Sequence, residues 1–357
     1  MIGIVGANGE IGNLCIKFLK DYGINNIKAG IRNRNLLEDN SNFSYDYIDL
    51  SNKESCISFA KNCDCVINCA TANKKGIKNL VEAVELGKTK LVDLTYYRNI
   101  ELPKVKNSLI CHGVGVSPGL TESLPKIITK NFDEVKSLNL YYVTIDKFTY
   151  SSAKSYLEYL DSSNIYPMTE INDWKLQATS YSGEAISFKN LSVKLKQIPY
   201  MDNRSISICR NLGIKNAKFN ICMPDGETYK LLMNPNFRKL DKSEKISKLI
   251  IASRLDVQLF DSYCAMLVES KGQLRNNEVF HRFLIEEKSS ANLTAIISVA
   301  VAVKILKNTN DVGIYEMANL EYSSKFLSLI LDIDKKANII LEKVENTLFK
   351  NSIGGEI

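Results

Sequence analysis

The sequence predicts an α/β protein: a doubly wound parallel sheet joined to a second α+β domain built on a mixed sheet. Three observations predict it. Short apolar strands alternate with helical patterns from residue 1 to about 110, the rhythm of βαβ units. Later strands instead alternate apolar and polar residues, the mark of half-buried antiparallel strands. The length of 357 residues exceeds what one hydrophobic core organises, so two domains are expected.

The first-domain strands are read at Ile2–Val5, Ile27–Ile31, Tyr45–Ile48, Cys65–Cys69, Lys90–Leu94 and Leu109–Cys111. The first runs into Gly6-Ala7-Asn8-Gly9-Glu10-Ile11-Gly12, after which Ile11, Leu14, Cys15, Phe18 and Leu19 recur at helical spacing. Bare backbone at a helix N-terminus is what a diphosphate needs, since unpaired N–H groups and the positive dipole end meet it there. A glycine turn between the first strand and the first helix therefore predicts a Rossmann dinucleotide-binding domain, against the alternative of a merely tight turn. Residues 6 and 8–12 are the expected diphosphate contacts.

The cofactor type is read at the end of the second strand, where NAD binders place a carboxylate on the ribose. Here stand Arg32, Asn33 and Arg34. Two guanidinium groups and no carboxylate favour NADP (NADPH), unless they are ordinary surface arginines. Asp49 ends the third strand, and Asn68 and Ala70 end the fourth, where an open sheet leaves its ligand crevice. Asp49 either lines the adenosine or caps the helix beginning near Ser51.

Composition is that of an ordinary globular protein, 45% hydrophobic and 24% charged. The net charge of +6 is spread along the chain, which speaks against nucleic acid. The longest apolar run, Leu293–Leu306, is too short for a span and carries Lys304, so no membrane is expected. The opening residues already form a strand, leaving no room for a leader. Nine cysteines without a CxxC pair, and two histidines, point to a reducing cytoplasm and no metal.

Lys90-Leu91-Val92-Asp93-Leu94, then Gly113-Val114-Gly115-Val116-Ser117-Pro118-Gly119-Leu120, then an apolar helix from Thr294 to Leu306 followed by Val312-Gly313, form a succession that resembles the saccharopine dehydrogenase-like family. The resemblance spans most of the chain. It departs at Ser117, where many relatives carry aspartate, and at Phe148–Lys154, where they carry a glycine-rich tract. It implies an NADP-binding domain over 1–120 completed by 305–357, and a substrate and dimerisation domain over 121–304. It also implies a homodimer, and places Ser117 near the cofactor.

Strands of the second domain are read at Val135–Ile145, Ala185–Leu195, Ala217–Cys222, Gln258–Glu269 and Glu278–Glu287, with Ser270–Asn277 as a hairpin loop. Helices are expected near Thr121–Lys130 and Ser289–Leu306.

Hydride transfer is the nicotinamide's own chemistry, so the protein need only hold the acceptor carbon and handle one proton. Candidates are His112 at the end of the sixth strand, Asp93 at the end of the fifth, and Tyr150 with Lys154 in YxxxK spacing. His112 is either a proton donor or a packed imidazole. Asp93, beside Thr95 and Tyr96, either orients a cationic nitrogen or caps a turn. Arg282, next to His281, either clamps a carboxylate or faces solvent. The family resemblance implies an oxidoreductase acting on CH–NH or C=N groups: an imine reductase taking an imine, a cyclic imine such as a thiazoline, or an amino-acid-derived substrate. That substrate is free or tethered to an acyl or peptidyl carrier protein. The alternatives are a short-chain-type carbonyl reductase using Tyr150 and Lys154, and a non-catalytic NADP-binding regulator.

Overall fold

The computed structural model describes residues 1–33, 45–98, 100–162, 164–180, 185–307, 311–322 and 324–345. They form two units, Met1–Ser123 with Ala291–Ala337, and Leu124–Ser290 with the chain from Asn338 onward.

The first unit holds β1 (Ile2–Val5), α1 (Glu10–Asp21), β2 (Ile27–Ile31), β3 (Tyr45–Tyr47), α2 (Lys53–Ala60), β4 (Cys65–Asn68), α3 (Lys74–Gly87), β5 (Lys90–Asp93) and β6 (Leu109–His112). The start of α4 (Thr121–Thr129), α9 (Ser290–Lys307), β16 (Gly313–Glu316) and α10 (Ser324–Ile333) complete it. Its seven strands lie in the order β16-β6-β5-β4-β1-β2-β3, each neighbouring pair parallel. β1, β4 and β6 are buried along their whole length, as strands of a parallel sheet covered on both faces are, and β4 and β6 turn polar only at their last residues, Asn68 and His112. Phe59, Leu80, Val84, Leu91 and Ile110 share one core cluster. Asn52 and Asn73 start α2 and α3 by accepting the N–H of Ser55 and of Gly76, satisfying donors that a helix start leaves orphaned.

The 18-residue helix α9 is long and apolar enough to cross a membrane by length and composition, yet 72% of it is buried inside the fold, as in a core helix that is apolar all round. It belongs to the first unit, whereas the sequence assigns 291–304 to the second domain. The next strand along the chain gives the reason: β16 joins β6 in parallel register, Gly313 against Leu109 and Glu316 against His112. Conversely, residues 338–345, expected with the nucleotide domain, form β17 (Asn338–Glu345) on the second sheet.

The second unit holds β7 (Glu134–Ile145), α5 (Tyr150–Leu160), β8 (Ile165–Pro167), β9 (Thr169–Asn172), β10 (Lys175–Ala178), β11 (Ala185–Phe188), β12 (Leu191–Asp202), α6 (Asn203–Asn211), β13 (Asn216–Met223), α7 (Glu227–Met233), α8 (Lys242–Phe260), β14 (Tyr263–Leu274), β15 (Asn277–Glu287) and β17. Its sheet is mixed: β13 and β7 run parallel, while β7, β14, β15 and β17 pair antiparallel in turn. Val143, Leu195, Cys222, Ala265 and Leu284 form the core against it.

Three readings are corrected here. The strand expected at Ala185–Leu195 is two, β11 and β12, folded back on one another with Phe188 opposite Leu191. Residues 258–260 end α8 instead of starting a strand. Ser270–Asn277 is no loop: β14 continues to Leu274, and the turn is Arg275-Asn276, both at positive φ (52° and 65°), the backbone that matches the twist of a two-residue hairpin.

Candidate functional site

The order in which strands are added to the first sheet reverses between β1 and β4. β2 and β3 lie on one side of β1, and β4, β5 and β6 follow on the other. At such a switch point the carboxyl ends of the strands leave a crevice. Asn68, Asp93 and His112 sit at that edge, level with the end of β1. Val5 pairs with Asn68, and Asn68 with Asp93 and Asp93 with His112 in the adjoining strands.

The glycine turn is built by backbone. The N–H groups of Gly6 and Ala7 both donate to the Gly30 carbonyl (2.9 and 3.0 Å), and that of Gly9 to the Gly6 carbonyl (3.0 Å). Gly6 has φ +76°, and a Cβ there would meet Ala70 at 3.1 Å. A Cβ on Gly12 would fall 2.2 Å from the Gly6 carbonyl oxygen. Gly12 is thus buried and lets α1 close onto the turn, while Asn8, Gly9 and Glu10 are exposed and Ile11 half-buried. Gly9 is the N-cap of α1, and no side chain accepts from the first turn there. This fits a bound diphosphate: a glycine cradle at a helix start uncapped by any side chain.

Arg32 is exposed just past β2. Arg34 lies outside the described residues. Asp49 stands beside Arg32, and its carboxyl is held below the usual range, first by the Ser51 N–H and hydroxyl and then by the Arg32 and Lys75 charges. Its Oδ1 accepts from Ser51 N–H (2.9 Å) and Oγ (2.8 Å). It closes a local turn, whereas Asn52 caps the helix.

At the ends of β4, β5 and β6 lies a buried polar cluster. Asp93 is fully buried. Its Oδ1 accepts from Asn68 Nδ2 (3.0 Å) and Thr95 N–H (2.8 Å), and its Oδ2 from the Tyr97 hydroxyl (2.7 Å). Burial pushes its carboxyl up to about 6, against those three hydrogen bonds. Asn68 Oδ1 accepts from Ala70 N–H (3.1 Å). The His112 ring stacks on Tyr97 with centroids 4.4 Å apart and 14° between planes, and its Nδ1 accepts from the Tyr97 N–H (3.3 Å). Burial lowers its pKa to about 4. At neutral pH the imidazole is therefore neutral, with its proton on Nε2, and offers a hydrogen bond rather than a cationic acid.

Tyr97 ties this cluster together, and sequence reading passes over it for its neighbours Thr95 and Tyr96. The adjacent tyrosines past a strand end are the only signal. After β6, Gly113 (φ +64°) and Gly119 (φ +122°) turn the chain toward α4. Buried Glu122 accepts from the Gly119 N–H (2.6 Å), and Ser117 is exposed.

Tyr150 and Lys154 belong to the second unit. They begin α5, which Thr149 and Ser152 start with a capping box. Tyr150 is 64% exposed and Lys154 also faces solvent. Arg282 is engaged by Glu269, opposite it on β14, at 3.4 Å. His281 is buried, its Nδ1 3.0 Å from the Ile128 carbonyl and its ring edge-on to Phe132. Among the described residues no three metal-ligating side chains converge.

The fold is similar to that of apo saccharopine dehydrogenase (L-Glu forming) from Saccharomyces cerevisiae. The TM-score is 0.65 over 96% of this chain and 99% of that one, at 13% identity. The chain thus has a saccharopine dehydrogenase-like fold. Matches to triphenylmethane reductase of Citrobacter sp. complexed with NADP(H) and to uronate dehydrogenase of Agrobacterium tumefaciens cover 26% of this chain, and 36% and 39% of theirs. Their identities are 18% and 16%, with TM-scores of 0.24 and 0.22, too low to bear on function. No family model and no curated protein matches.

Proposed function

We propose that the chain is an NADP-dependent oxidoreductase acting on a C=N or CH–NH bond. The observation that carries this reading is the glycine cradle at the switch point between β1 and β4, on a saccharopine dehydrogenase-like fold. Residues 6–12 would hold the diphosphate, and Arg32 the ribose phosphate.

When bound, the nicotinamide supplies or takes up the hydride. The chain's own residues set the ground around it. Asn68 and Asp93 fix the ends of β4 and β5 to each other, and Tyr97 holds the His112 ring flat. Neutral His112 has an Nε2–H to donate toward an oxygen or nitrogen of a substrate. Asp93 acts on that ring through Tyr97, as a positioning residue. The substrate is an amino-acid-derived imine, free or carrier-tethered, and the active form is a cytoplasmic homodimer.

Titration of the purified protein with NADPH and NADH, read by nicotinamide fluorescence, tests the cofactor. Arg32→Asp should weaken NADPH about ten- to a hundredfold, the worth of charge-assisted hydrogen bonds, and NADH far less. Equal losses would remove the phosphate clamp, and failure of both coenzymes to bind would remove the whole reading. Turnover of NADPH with a panel of cyclic imines and matched ketones separates C=N from C=O chemistry.

A further inference from the structure

In the second unit, a cavity of about 480 Å³ opens between the β9–β10 hairpin and α6, a volume in the range of small-molecule sites. Its walls differ in character. One carries Tyr166, Trp174 and Leu176, and the other α6, where Ser207, Arg210 and Asn211 stand among Ile206 and Cys209. Trp174 and Leu176 are 50% and 41% exposed, so their apolar surfaces are open to an occupant of the cavity.

Charge decides the kind of occupant. Arg210 is the single cation of the lining, which contains no carboxylate, and among the described residues nothing pairs with its guanidinium. An unpaired arginine beside aromatic faces suits a flat ring bearing a negative group, which it can grip with two donors.

The position of Trp174 is set by the backbone of its hairpin. Asp173 and Trp174 both have positive φ, 48° and 67°, which costs a non-glycine residue roughly 1–2 kcal/mol. The strain is held by the Trp174 N–H on the Lys215 carbonyl (3.0 Å) and the Asp173 N–H on Asn216 Oδ1 (3.1 Å). These two residues are the whole turn between β9 and β10, a two-residue hairpin whose type needs positive φ at both, and the turn places Trp174 in the cavity lining.

We propose that this cavity binds a small planar aromatic anion, with the ring against Trp174 and Tyr166 and its carboxylate or phosphate on Arg210. The site lies wholly within residues 124–290 and does not depend on the dinucleotide reading.

Trp174 is the chain's one tryptophan, so its emission reports occupancy directly. The full-length protein is titrated with 4-nitrobenzoate and with AMP, and with their uncharged counterparts 4-nitrobenzamide and adenosine, by fluorescence and by calorimetry. At least one anion should bind saturably at one per chain, about tenfold or more tighter than its neutral counterpart. The one that binds identifies the source as carboxylate or phosphate. Arg210→Gln, an exposed substitution, should abolish that preference while leaving the melting temperature and the neutral ligand's affinity unchanged. Trp174→Leu should weaken binding in the calorimeter. Equal affinity for anion and neutral ligand, indifference to Arg210→Gln, or no saturable binding of either anion would overturn the proposal. So would Trp174 emission that changes with protein concentration alone, which would assign the cavity to a second copy.

Discussion

Asp93 and His112 are one strand apart and shifted in opposite senses, and their effects on stability should offset one another. Asp93 rises from 3.8 to about 6, so the fold prefers its neutral form, and stability from this group declines as pH rises through that window. His112 falls from 6.5 to about 4, so the fold again prefers the neutral form, and stability declines as pH drops through that window. Between about pH 4 and 6 the unfolded chain carries an ionised Asp93 and a cationic His112, and the folded chain neither charge. The proton count is the same, and the two slopes of roughly 1.4 kcal/mol per pH unit cancel. Asp93→Asn should expose the histidine slope, with stability lost on acidification. His112→Gln should expose the opposite slope. Urea midpoints at pH 4, 5 and 6 read both, and difference curves that run in the same direction would show that the pair is not neutral in the fold. The sequence marks both residues as candidates by position, at strand ends. It holds no sign of their burial or of Tyr97, because those depend on how three strand ends converge.

Among elements, α1 is held to its turn by one glycine. A Cβ at Gly12 would overlap the Gly6 carbonyl, so Gly12→Ala must lift the helix from the turn. Overpacking of this kind costs about 1–3 kcal/mol, and the first-turn N–H groups move with the helix. NADPH affinity should fall more steeply than melting temperature, by comparison with a Gly23→Ala control whose Cβ meets nothing. The control carries the cost of a positive φ, +95°, without touching the turn. If both variants lose only stability, the cradle does not bind the dinucleotide. Elements of this sheet are legible because parallel strands buried on both faces are unbroken apolar words. The second sheet is less so. Gly272 reads as a turn but lies within β14, where a Cβ would meet the Glu134 carbonyl at 2.1 Å beside a shift in register. A strand glycine of this sort marks a close approach of backbone. Lys189-Asn190, which the alternation reads as part of one strand, is the turn of a hairpin.

At the scale of the molecule, the segmented path of the chain has a consequence for how it is made. The sheet's outer strand β16 and the buried helix α9 come from residues 290–316, yet they complete a unit begun at residue 1. During synthesis β6 has no partner on one side until residues 113–312 have emerged, and an uncovered strand edge invites association with other chains. A fragment of residues 1–123 made alone should aggregate, and co-expression of residues 291–337 should restore a soluble pair that melts cooperatively. A lone fragment that stays monomeric and melts sharply would contradict this. Nascent chains of this protein thus emerge with a sheet that lacks its seventh strand until residues near 316 are made, so the interval of translation is one of exposure to chaperones and to neighbouring ribosomes.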